Sequence, residues 1–231
     1  QTAIDSSNNG DTVIVSSGTY YENINFNGKN IVLASEFLIT GDTTFISSTI
    51  LYGIGPSPTV MFENNEDNCH LVGFTITQGF CGVKFQNNIN SSNTGPFLTN
   101  LKFIDCGSVF EGAAIHAPCN HNLSFVVDKC DFYNNNASMN VIFVCNINNT
   151  DANRFPQIKN SRFYNNNSFQ ESIIQLVGEN SKVENCLIFD NNATYAIKYF
   201  NGLIGHKLIS STIVNSSSYA IGVENNSQST N

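Results

Sequence analysis

CDFYNNN at 130–136 returns as SRFYNNN at 161–167, and the match extends along the chain. Phe132 and Phe163 belong to a column that also holds Ile76, Phe103, Ile188 and Ile213, at spacings of 27, 29, 31, 25 and 25 residues. Two residues earlier stand Phe74, Leu101, Cys130, Ser161, Cys186 and Ser211, small or apolar and on the same side of a period-two strand. Two residues later stand Gln78, Asp105, Asn134, Asn165, Asp190 and Asn215, all polar turn formers.

Each turn leads into a second apolar strand, with Val83, Ile115, Ile142, Ile174, Ile197 and Ile221 facing inward, and Val60 of TVMF one repeat earlier. A third short strand precedes the main one and carries Leu71, Leu98, Val127, Ile158, Val183 and Leu208. Between the third and main strands lie Gly73, Asn100, Lys129, Asn160, Asn185 and Ser210. Gly and Asn tolerate a left-handed backbone, so a tight bend is expected there. One such coil cannot bury its own apolar face and needs neighbours above and below. Like then stacks on like. The pattern predicts an all-β chain, a single-stranded right-handed parallel β-helix of about nine coils, filling 1–231 as one domain. A β-sandwich, the competing all-β arrangement, does not require like residues in register at such intervals.

Composition agrees. Charged residues number only 28, against 37 Asn, and the asparagines punctuate apolar alternation as turns do. Net charge is −8 with ten scattered basic residues, so nucleic acid is not an expected partner. No apolar run reaches the ~18 residues of a membrane span. Gln1 lies within what reads as a structural element, so the chain is expected to be part of a longer protein. Seven Cys without a CxxC spacing argue against a zinc site. Cys119 and Cys145 follow the second strand at similar offsets on adjacent coils and are the best disulfide candidates. Cys130 and Cys186 stand two rungs apart, about 9.6 Å, beyond the reach of a bridge.

The opening segment AIDSSNNGDTVIVSSGTYYENINFNGKNIVLAS resembles the first coils of secreted right-handed β-helix proteins through its NNGD, GTYYENI and GKNI elements. VGFTITQG and FIDCGSVFEGAAI resemble repeats of the same broad pectate-lyase-like superfamily. The resemblance implies a secreted or cell-surface location. It leaves activity open, since lyases, hydrolases and adhesins share the fold. The QDT, VDFIFG and RPW elements of pectin methylesterases are absent, as are the RIK and GHG elements of polygalacturonases.

Two sets of residues carry candidate chemistry. The outward positions of the second strand are Met61, Lys84, His116, Phe143, Gln175, Lys198 and Gly222, with no carboxylate to hold calcium, so no metal or other cofactor is expected. Lys84 and His116, on adjacent rungs, could neutralise a uronate and abstract a proton, with Glu111 orienting the imidazole; as solvated surface residues they would do neither. The outward positions of the main strand are Thr77, Ile104, Tyr133, Tyr164, Phe189 and Val214, an aromatic ladder suited to sugar. Tyr133, Tyr164, Phe189 and Lys198 are the expected glycan contacts. Two readings stay open: a non-catalytic structural or glycan-contacting module, and a polysaccharide lyase or hydrolase acting on an acidic polymer without calcium.

Overall fold

The computed structural model describes residues 1–64, 66–86, 95–108, 112–120, 124–146, 155–200 and 205–224. They form a parallel β-solenoid with 7% helix. Three sheets of eight strands run its length. Sheet one extends from Thr12–Val15 to Lys207–Ile209, sheet two from Gly18–Tyr21 to Thr212–Val214, and sheet three from Ile24–Asn25 to Tyr219–Glu224. Successive coils make about 7 turns, fewer than the nine expected. The shortfall arises because several coils exceed the shortest repeat, and one contains an insertion over 36–48.

The columns pair in register. Ile76, Phe103, Phe132, Phe163, Ile188 and Ile213 are consecutive partners in sheet two. Leu71 to Leu208 align in sheet one and Val83 to Ile221 in sheet three. Inside, Phe103, Phe132 and Phe163 stack at 4.6 and 4.5 Å with rings 4° and 2° from parallel. Those spacings sit close to the ~4.8 Å between strands, which is why identical residues on successive coils fit. Phe26, Phe62, Phe85 and Phe125 make a second buried stack.

Both polar columns are left-handed. Gly73, Asn100, Lys129, Asn160, Asn185 and Ser210 have φ of 78, 53, 56, 51, 50 and 47°, turning the chain from sheet one to sheet two. Gln78, Asp105, Asn134, Asn165, Asp190 and Asn215 have φ between 50 and 60° where it leaves sheet two. The asparagine that follows the left-handed residue in three of these turns does more than turn. Asn135, Asn166 and Asn191 are buried and form a ladder: Asn135 Nδ2 donates to Asn166 Oδ1 and Asn166 Nδ2 to Asn191 Oδ1, both at 2.8 Å. Their amides also donate to the Phe103, Phe132 and Phe163 carbonyls, so buried polar atoms at the corner are satisfied. One residue further on, a small parallel sheet is formed by Gly107–Ser108, Asn136–Ala137 and Asn167–Ser168.

At the first coil, helix Thr2–Ser6 places Ile4 in the core, and Lys29 Nζ donates to the carbonyls of Ile4, Asp5 and Ser7 at its end. The insertion departs from the pattern. Where other coils pass from sheet one to sheet two through a short bend, 36–48 folds as two short helices, Phe37–Thr40 and Thr44–Ser48. It leans over later coils: Thr75 Oγ1 donates to the Ile46 carbonyl at 2.8 Å. A Cβ on Gly73 would stand 2.5 Å from Ser35 Oγ and 3.0 Å from Phe37 Cβ, so this rung of the corner column must be glycine.

Candidate functional site

The two outer faces singled out by sequence differ in kind. On sheet two, Ile104, Tyr133, Tyr164 and Phe189 pair in register and point outward, half-buried. Tyr133 and Tyr164 stack at 5.0 Å and Tyr164 and Phe189 at 5.2 Å, 9° and 13° from parallel. Both faces of Tyr164, and the facing sides of Tyr133 and Phe189, are therefore taken by neighbouring rings. The ladder offers solvent a strip of ring edges and two phenol hydroxyls, where the sequence suggested open ring faces. Partial burial, then the neighbouring Tyr164, holds the Tyr133 phenol above its ordinary pKa, so it stays a hydrogen-bond donor.

Two residues before the ladder, on the same strands and face, stand Lys102, Asp131 and Arg162. Arg162 grips Asp131 with Nε to Oδ1 at 2.7 Å and Nη2 to Oδ2 at 2.6 Å. The insertion walls this row. Thr43, Thr44, Ile46 and Ser47 face Asn100, Lys102, Lys129, Asp131, Asn160 and Arg162 across an open cleft of ≈ 540 Å³. Lys102 Nζ reaches over to Ser47 Oγ at 2.6 Å. Sequence reasoning missed this cleft. Its one signal was Lys129, the sole charged residue in a column of Gly, Asn and Ser.

Sheet three's outer column is largely closed. Lys84 and His116 are adjacent partners, half-buried, as the register required. Burial, and then the Lys84 charge, lower the His116 pKa to about 4. The ring is neutral at pH 7, and its buried Nδ1 has no hydrogen-bond partner among the described residues. Such an imidazole is a weak base for proton abstraction, since general bases work best with a pKa near the operating pH. Glu111 lies outside the described residues. Next along the column, Phe143 is 5% exposed, Gln175 8% and Lys198 4%, against the solvated surface expected of charged outward positions. Phe143, Cys145 and Val177 form a second small apolar cluster with Phe200 against it. The Cys119–Cys145 disulfide lies at this cluster, on adjacent strands. Cys69, Cys81, Cys106, Cys130 and Cys186 are free and buried. Burial pushes the Cys81 thiol up to about 12 and that of Cys186 to about 11, leaving both unreactive.

Lys198 does not join the aromatic ladder. It lies on sheet three, with Nζ 2.5 Å from Glu171 Oε2 and 3.2 Å from Glu224 Oε2. It is also four rungs from Lys84, about 19 Å, too far to serve the same sugar. A second cavity of ≈ 370 Å³ lies beneath the N-terminal helix and is lined by core-facing side chains such as Ile4, Leu33 and Phe74. Among the described residues no three His, Cys, Asp or Glu gather as a metal site, and no helix is long and apolar enough to cross a membrane. No known family model matches the chain, and no curated protein matches it in sequence.

Proposed function

We propose that this chain is an extracellular, cell-surface β-helix module that contacts glycan through the outer face of sheet two without cleaving it. The observation that carries the reading is the continuity of that face: a strip of phenol edges beside a cleft walled by hydroxyl, amide and charged groups. Sugar recognition needs such directional donors and acceptors in a concave setting. The single disulfide fits an oxidising, extracellular compartment. Relationship to the pectate-lyase-like superfamily rests on the opening NNGD, GTYYENI and GKNI elements. The lyase alternative at Lys84 and His116 is disfavoured by the low basicity of that imidazole.

The test is oligosaccharide binding by calorimetry after a glycan-array screen. Tyr133→Phe with Tyr164→Phe removes both hydroxyls while keeping the stack, and should weaken binding about fivefold to tenfold at unchanged stability. Glycan binding untouched by this pair and by Tyr164→Ala would overturn the reading.

A further inference from the structure

We propose that the cleft between the 36–48 insertion and sheet two is an oxyanion site, so that the glycan it takes carries carboxylate or sulfate groups. This rests on the glycan reading above and adds the ligand's charge to it. Three cations, Lys102, Lys129 and Arg162, line the cleft against one carboxylate, Asp131. That local excess of positive charge occurs in a chain of net charge −8.

The cations differ in how far they are already engaged. Arg162 is committed to Asp131 through two hydrogen bonds, and the pair is neutral. Lys102 spends one donor on Ser47 Oγ and keeps two protons. The Lys129 ammonium has no hydrogen bond or ion pair with any described residue; only its backbone N–H is engaged, with the Lys159 carbonyl. Two other acids lie nearby and keep their charge: Asp128 accepts from Asn160 Nδ2 at 2.7 Å and lies 3.9 Å from Lys159 Nζ, and Asp42 accepts the Thr44 N–H at 2.9 Å. Neither lines the cleft. Two ammonium groups therefore share a concave space whose described lining holds no unpaired carboxylate, with Asn and Thr side chains around them to complete an oxyanion's hydrogen bonds.

Lys129 also sits where its backbone would favour another residue. Its φ is 56°, in a column whose other members are Gly, Asn, Asn, Asn and Ser. Lysine gains nothing from that conformation, and its ammonium has no partner among the described residues. The insertion supplies the independent observation. Repeat proteins carry insertions on one face, often the binding face. This one interrupts a coil that would otherwise turn in a short bend, and it builds the opposite wall of the cleft.

The experiment measures binding of three hexasaccharides by calorimetry: hexagalacturonate, sulfated maltohexaose and neutral maltohexaose. The expected result is tighter binding of an anionic probe than of maltohexaose, weakened by NaCl. Whichever anionic probe binds better tells carboxylate from sulfate. Lys129→Asn restores the residue type favoured by the column, so it should fold with an unchanged or higher Tm while losing about fivefold in anionic affinity. Adding Lys102→Met should cost a further similar factor, and Asp131→Asn should tighten binding. Should all three probes bind alike, indifferent to salt and to both lysines, yet weaken with Tyr133→Phe and Tyr164→Phe, the oxyanion site is wrong and the glycan reading survives. Loss with the lysine variants but not the tyrosine ones keeps the oxyanion site and removes the ladder's role. Failure of all three to bind overturns both.

Discussion

Sheets two and three are built from the same repeat, yet their outer faces have opposite characters. Sheet two's face is open: its rings stack only on one another, and its Lys129 is unpaired among the described residues. Much of sheet three's face is closed: Lys198 is bracketed by two glutamates, Phe143 and Val177 pack on a disulfide, and His116 is held neutral. Inward positions of a solenoid are fixed by the stack. Outward positions take their character from what the connecting segments lay over them, and here that divides one face suited to stability from another free to bind.

If this division is right, perturbing sheet three should cost stability and spare binding. The largest effect is expected from reducing the disulfide or from Cys119→Ser: a closure of 26 residues stabilises by about 3 kcal/mol, read as the difference between oxidised and reduced protein in denaturant titration. Next comes pH. His116 titrates at about 4 when folded, below the ordinary 6.5, so the unfolded chain binds the extra proton first. Stability should be fully present above pH 6.5 and fall as pH drops towards 4, by about 3 kcal/mol from the shift alone and about 2 kcal/mol once discounted for the ring's partial exposure. Burial lowers His70 and His206 in the same direction. His116→Gln should flatten part of that slope in thermal melts between pH 4 and 7; an unchanged slope would show that the imidazole is not held neutral. Lys198→Met leaves Glu171 and Glu224 facing each other and should cost about 1–2 kcal/mol, discounted because both carboxylates are partly exposed. The smallest stability effect belongs to the open face. Tyr164→Ala removes two ring contacts and should cost about 1 kcal/mol, while glycan affinity falls. A larger stability loss there than at Lys198 would erase the distinction between the faces.

The sequence carried much of the solenoid's interior because stacking makes spacing and composition agree. The Phe103, Phe132 and Phe163 column and the left-handed columns from Gly73 and Gln78 follow from period and residue type alone. The Asn135, Asn166 and Asn191 ladder was half legible: the triplet marked a corner, but which asparagine turns inward depends on where the left-handed residue falls. The insertion at 36–48 was illegible, since it has no counterpart in any other coil to align with. For the same reason the cleft it builds was missed, apart from the odd lysine at 129. Lys198 was misjudged because alternation assigns a side to a residue and says nothing of what covers that side.

The Cys119–Cys145 bond has a mechanical consequence. Coils of a parallel solenoid are held to one another by hydrogen bonds along the axis, so a chain pulled from its ends should peel off coil by coil. The disulfide fastens two adjacent coils, and its 26-residue separation cannot be drawn out while it is closed. At ~3.3–3.6 Å per residue, roughly 90 Å of contour length stays in reserve. Under tension the protein would thus yield to a fixed extension, and lengthen beyond it only after a reductant had opened the bond.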